Sequence, residues 1–203
     1  MSLDNAAMTV YGDSISGNCL KVKFAADHLG VPYDWVEISV VNQETRTPEF
    51  LAMNPAGQVP VVRFADNQVL AQSNAIILYL AEGSDLVPVD AFERAQMYQW
   101  LFWEQYSHEP ALAVLRFQKF YLKKPDGEID PNLRPRCQRV LSLMDEHLEG
   151  RGYFVGRKLS LADIALVAYT RVSHQADIDL NQYSNVAAWV RRIEDELKIE
   201  HLP

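Results

Sequence analysis

Two short segments hold residue types suited to gripping a peptide: Asn54-Pro55-Ala56-Gly57-Gln58-Val59-Pro60-Val61-Val62 and, shortly downstream, Gln72-Ser73-Asn74-Ala75-Ile76-Ile77. Pro60 has no N–H to give to a sheet ladder, so the start of the Val-Pro-Val-Val strand belongs at an edge or a bend. A cis Val59-Pro60 bond suits that position. It would turn the Val59 N–H and C=O outward, where an extended peptide pairs with both. Gln72 and Ser73 stand just ahead of an apolar helical pattern, so Ser73 can cap the helix while the unpaired N–H groups attract a carboxylate. Backbone pairing plus a carboxylate site points to a small anionic peptide.

Such a ligand would need locally arranged donors, because the chain as a whole is acidic: 203 residues, net charge −8. Residues 1–85 carry ten acidic and four basic side chains, and residues 86–203 carry seventeen and fifteen. That balance argues against nonspecific nucleic-acid binding, which needs clustered Lys and Arg. The two cysteines, Cys19 and Cys137, are too few for a disulfide framework and fit a reducing, cytoplasmic setting. No apolar run reaches the roughly 20 residues of a membrane span, and Met1 to Met8 lacks the regions of a signal peptide. Histidines at 28, 108, 147, 174 and 201 form no pair with ligand spacing, so no metal site is expected.

The elements that must position these groups follow from hydrophobic periodicity. Thr9-Val10-Tyr11 is a strand, the polar stretch Gly12 to Asn18 a turn, and Leu20 to Leu29 a helix ended by Gly30. Tyr33 to Ile38 alternates as a strand, Pro48 to Met53 is a helical turn, and Val59 to Phe64 and Val69 to Ala71 flank an Asp66-Asn67 turn. A helix from Ser73 to Glu82 closes the unit in the order βαβ(α)ββα. Beyond residue 83 no alternating strand appears. Helical patterns take over: Phe92 to Tyr121, which Pro110 should bend or break near His108, then Asn132 to Glu149, Ile164 to Val172 and Val186 to Leu197. Ser160-Leu161-Ala162-Asp163 reads as a capping box before the most apolar of these, the expected buried centre of the second domain.

The segments NPAGQVPVV at 54 to 62, QSNAIILYLAE at 72 to 82 and SLADIALVAY at 160 to 169 resemble the glutathione transferase family in order and spacing, over nearly the whole chain. The resemblance implies an α/β plus all-α architecture. Residues 1–83 would form a thioredoxin-like glutathione-binding domain, 84–91 a linker, and 92–203 an all-helical domain carrying the electrophile side of a cleft. It further implies glutathione as co-substrate without a metal, a small hydrophobic electrophile as its partner in a detoxifying transfer, and a cytoplasmic homodimer. The Val59 backbone would pair with the cysteinyl part of glutathione, and Gln72 and Ser73 would hold the γ-glutamyl carboxylate. Gln58 would lie by the glycyl arm, with Arg46, Lys21 or a group of the second domain as the nearby cation.

Ser16-Gly17-Asn18-Cys19 resembles the turn of the serine-type members, which makes Ser16 the first choice for the catalytic hydroxyl, with Ser14 and Asn18 in reserve. An unperturbed thiol has a pKa of about 8.5 and is mostly protonated at neutral pH. A hydroxyl donating to sulfur beside a helix N-terminus favours the anion. Thioredoxin-like redox enzymes place two cysteines as Cys-x-x-Cys; here Ser16 takes the first place, and Cys19, in the second, is expected to be packed and inert. Tyr106 and Arg116, near the Pro110 bend, are candidates for the electrophile pocket, although aromatic residues at helical spacing more often serve packing or a subunit interface.

Two other functions compete. One is a non-catalytic glutathione-binding or protein-interaction module of the same fold. The other is an esterase: Gly12-Asp13-Ser14 resembles the Gly-Asp-Ser block of the GDSL type, with Ser14 as nucleophile. Those enzymes place Asp and His three residues apart near the C-terminus, whereas here Lys198 stands three residues before His201.

Overall fold

The computed structural model describes residues 8–202, and the chain divides into two compact units, the first ending at Ser84 and the second beginning at Asp85. In the first, β1 (Met8–Gly12), α1 (Gly17–Leu29), β2 (Tyr33–Glu37), α2 (Pro48–Met53), β3 (Val61–Arg63), β4 (Val69–Ala71) and α3 (Ser73–Leu80) follow the expected order. The sheet runs β2-β1-β3-β4. β1 pairs in parallel with β2, Met8 opposite Tyr33, as the intervening α1 crossover requires. β3 is antiparallel to both β1 and β4, with Val10 opposite Val62 and Val62 opposite Leu70. Val10, Val61 and Val62 are fully buried, together with Val22 and Ala25 of α1 and Ile76 and Ile77 of α3, so both helices cover the sheet with their apolar stripes.

β3 begins at Val61, two residues later than periodicity suggests. Val59 lies in a bend, and the Val59-Pro60 bond is cis. The four-stranded mixed sheet with its helices is the thioredoxin-like arrangement, and the second unit is all-helical.

That second unit contains α4 (Ala91–Trp103), α5 (Glu109–Arg116), α6 (Leu133–Leu148), α7 (Leu161–Thr170) and α8 (Ser184–Leu197). All ten residues of α7 are buried, which is why its sequence is apolar on every side. Phe154 links two indoles of this core, with ring centroids 4.7 Å from Trp100 and 5.0 Å from Trp189. Asp163 anchors the start of α7. Its carboxylate accepts from the Ser160 N–H at 3.0 Å and hydroxyl at 2.9 Å, the Phe154 N–H at 2.9 Å and Trp189 Nε1 at 3.0 Å. Within the stretch expected as a linker, Leu86 is buried and its C=O accepts from Leu161 N–H at 3.1 Å.

Pro110 does not break the long helix. Residues Glu104–His108 form a π-helical turn in which the Glu109 N–H reaches the Glu104 carbonyl, and Pro110 then falls in the first turn of α5. Pro110 has no N–H to give, and the π-helical turn just ahead of it is the kind of local widening through which a helix continues past such a lost bond. The widened turn takes up the register change. A second π-helical turn follows at Phe117–Tyr121.

Candidate active site

Ser16 is the N-cap of α1 with extended backbone, and its N–H donates to the Asp13 carbonyl at 2.9 Å. Its half-buried hydroxyl makes no cap bond. It lies instead within hydrogen-bonding reach of Cys19, a fully buried thiol that also accepts the Asp13 N–H at 3.4 Å. Burial pushes the Cys19 thiol up to about 12, outweighing the stabilisation of its anion by the Asp13 N–H and the Ser16 hydroxyl. Cys19 is therefore a neutral packing group at physiological pH, as its place in the turn predicts.

The two reserve residues face elsewhere. Ser14 is exposed, and both its N–H and its hydroxyl donate to Glu37 Oε1, at 2.9 and 3.0 Å. Partial burial pushes the Glu37 carboxyl up, yet these two donors and Trp35 Nε1 at 2.7 Å together hold it below its ordinary value. A serine donating to a carboxylate is not the activated nucleophile of a hydrolase, which needs its hydroxyl against an imidazole. Asn18 turns towards α3, where its Oδ1 accepts from the Ser73 hydroxyl at 3.2 Å and from Lys21 Nζ at 2.9 Å.

Lys21 is the residue that sequence reasoning undervalued. It is fully buried, and its ammonium reaches Ser73 Oγ and Asn74 Oδ1, each at 3.5 Å, besides Asn18. A buried ammonium is costly unless oxygen acceptors surround it, so α1 and the start of α3 are built around this cation. In sequence it looks like any lysine between apolar neighbours.

Gln72, not Ser73, is the N-cap of α3, and Ser73 is its first helical residue. The expectation that Ser73 caps the helix is therefore corrected by one position, because the Ser73 hydroxyl is spent on Asn18. Gln72 has φ 72° and ψ 111°, a region that L residues seldom occupy, and such backbone costs about 1–3 kcal/mol and clusters at ligand clamps. The first turn of α3, the strained Gln72 beside it and the Lys21 charge behind Ser73 together make this corner of the unit suited to an anion.

At the strand edge the Val59 N–H and C=O have no partner among the described residues, which is what strand-addition binding requires. The preceding loop is tied together by its own hydrogen bonds: Asn54 Nδ2 donates to the Gln58 carbonyl at 2.8 Å, and the Gly57 N–H donates to the Asn54 carbonyl at 2.9 Å. Gly57 has φ 61°, and a Cβ there would come within 2.4 Å of an Arg46 guanidinium nitrogen. Arg46 also donates to the Ala56 carbonyl at 3.4 Å, so a cation lies directly under the Gln58 loop. The Gln58 side chain is exposed.

In the second unit Tyr106 sits in the first π-helical turn, 85% exposed. Arg116 is buried, with Nε donating to Gln175 Oε1 at 2.7 Å and the guanidinium 5.7 Å from the Phe120 ring and 5.3 Å from the Tyr121 ring. Packing accounts for Arg116 as it stands. Among the described residues no group of three or more His, Cys, Asp or Glu could hold a metal ion, and no helix is long and apolar enough to cross a membrane.

Comparison with known proteins fits this geometry. Residues 15–82 match the family model of the glutathione S-transferase N-terminal domain, and residues 101–196 match that of the C-terminal domain. A maize (Zea mays) protein described as glutathione S-transferase 3 is 30% identical over 167 residues, 78% of this chain and 74% of that protein. The crystal structure of a glutathione S-transferase from Pseudomonas fluorescens superposes with a TM-score of 0.90 at 40% identity, covering 97% of this chain and 98% of that one. A glutathione transferase from Pseudomonas putida, 24% identical with a TM-score of 0.81 over 95% and 91% of the two chains, shares the fold and carries one glutathione disulfide per subunit.

Proposed function

The chain belongs to the glutathione S-transferase family and is a glutathione transferase, and from that premise we propose a serine-type enzyme in which Ser16 stabilises the glutathione thiolate for attack on a small hydrophobic electrophile. The observation that carries this is the Ser16 hydroxyl: half-buried, at the positive end of α1, and unused as a helix cap. A thiol is a weak hydrogen-bond partner, so the hydroxyl can leave Cys19 for an incoming thiolate at little cost. Charge-assisted O–H···S⁻ donation and the α1 dipole both favour the anion, and each pKa unit gained is worth about 1.4 kcal/mol.

Glutathione would add to the sheet edge through the Val59 backbone, ahead of Pro60, and place its γ-glutamyl carboxylate at Gln72 and Ser73. That carboxylate meets the first turn of α3 with the Lys21 ammonium behind it. The glycyl carboxylate would lie by Gln58, with Arg46 as the nearest cation. In the chemical step the thiolate pair forms the new S–C bond while the electrophile's leaving group departs with its bonding electrons. Ser16 keeps its proton throughout and acts as a donor, not a base.

Tyr106, exposed in a π-helical turn, and Arg116 are proposed to contact the electrophile. A cytoplasmic homodimer is the proposed working form. The direct test is conjugation of 1-chloro-2,4-dinitrobenzene by wild type and Ser16→Ala: turnover should fall sharply in the variant, and unchanged turnover would remove Ser16 from the mechanism.

A further inference from the structure

We propose that a cavity within the second unit, between the Gly150 to Arg157 loop and α8, is a binding site for a phosphomonoester, with Arg151, Arg157 and Arg192 as its cations. The cavity measures about 700 Å³, far more than a bare inorganic anion fills and within the range that takes a small organic molecule. Three guanidinium groups line it and no carboxylate does, in a chain of net charge −8.

Two of the carboxylates close by, Asp145 and Glu196, already have partners. Asp145 accepts the Asn185 and Val186 N–H groups at 2.8 and 3.1 Å at the start of α8, and Glu196 accepts the Tyr153 hydroxyl at 2.5 Å. Glu93 lies by Gly156, 3.4 Å from where a Cβ would stand, and does not line the cavity. Arg151 and Arg157 are exposed and have no partner for their side chains among the described residues.

Arg192 is pre-positioned. Its guanidinium lies 5.8 Å from the Tyr153 ring centroid and 3.4 Å from where a Gly152 Cβ would stand, so it packs against the loop. The N–H groups of Gly152 and Tyr153 donate to nothing else among the described residues. Forked guanidinium donors match the oxygens of a phosphate two at a time, and backbone N–H groups add to them. A phosphate on an organic body uses both the cations and the volume. None of the proposed peptide-site residues takes part, since all of those lie in the first unit.

The test titrates the full chain with inorganic phosphate and with adenosine monophosphate, against sodium chloride at matched ionic strength so that general charge attraction cancels. Amide NMR shifts of Gly150, Gly152 and Gly156 and calorimetry give the readout. The expected result is saturable binding centred on those amides, tighter for the nucleotide. Arg157→Gln and Arg192→Gln should each weaken it roughly tenfold, with glutathione turnover unchanged. Arg157 is exposed, so its variant keeps the packing intact. No saturable effect beyond chloride, equal affinity in wild type and Arg157→Gln, or nucleotide binding no tighter than inorganic phosphate would each overturn the proposal.

Discussion

The Ser73 hydroxyl donates to Asn18 Oδ1 across 3.2 Å, joining the first turn of α3 to the first turn of α1. Because the same oxygen accepts the buried Lys21 ammonium at 2.9 Å, the two helix starts share one positive charge. A carboxylate arriving at α3 would sense that charge through little water.

Lys21→Met keeps the stem and removes the charge. The expected effect is a rise in the KM for glutathione of about tenfold, the size of one charge-assisted contact, with kcat changed much less. Steady-state kinetics with glutathione varied check this, and an unchanged KM would mean that Lys21 is purely structural.

Gln72 supplies both an amide and a strained backbone. Gln72→Ala and Gln72→Gly remove the same side chain, but glycine accepts φ 72° without a Cβ penalty. The glycine variant should be more stable than the alanine variant by about 1 kcal/mol in urea unfolding. Both should bind glutathione more weakly than wild type. Equal stability of the two would show that the strain carries no measurable cost.

Cys19 and Cys137 are both buried, and burial holds each thiol at about 12. Native protein should leave both unreacted with a thiol reagent at neutral pH, whereas both react after denaturation. Cys19→Ala should retain most turnover. Rapid native labelling of Cys19 would contradict its inert role.

Much of this architecture was legible in the sequence because single residues forced it. Pro60 has no N–H and stands where the chain bends before β3, and the Ser160–Asp163 pair marks the start of α7. What stayed hidden depends on tertiary context. Nothing in Gln72 announces a positive φ, a conformation more often signalled by Gly or Asn, so the sequence pattern sets the cap at Ser73, one residue after its true position. Pro110 signals a lost hydrogen bond but not that a π-helical turn absorbs it. The depth of Lys21 is decided by α3 closing over it, which the α1 sequence alone does not contain.

Burial pushes the Asp163 carboxyl from 3.8 up to about 6, against the Phe154 N–H, the Trp189 Nε1–H and the Ser160 hydroxyl and N–H, which favour its anion. A raised carboxyl means that between those two values the folded state binds the proton more tightly than the unfolded chain. Its stabilising contribution is therefore complete below about pH 4 and is lost as pH rises to about 6, a change of roughly 3 kcal/mol. Asp163→Asn, which cannot titrate, should lack that slope when urea midpoints are compared with wild type from pH 4 to 7. The variant should also be less stable at every pH, because the inserted amide NH₂ faces donors. Parallel pH profiles would contradict the assignment.

The central claim is that Ser16 lowers the thiol pKa of bound glutathione. Thiolate ultraviolet absorbance of the binary complex, titrated with pH in wild type and Ser16→Ala, measures it directly. The account predicts a thiol pKa in wild type below the free value of about 8.5 and a return most of the way towards it in Ser16→Ala. Glutathione that binds wild type with an unshifted thiol, or a shift that survives Ser16→Ala intact, would contradict it.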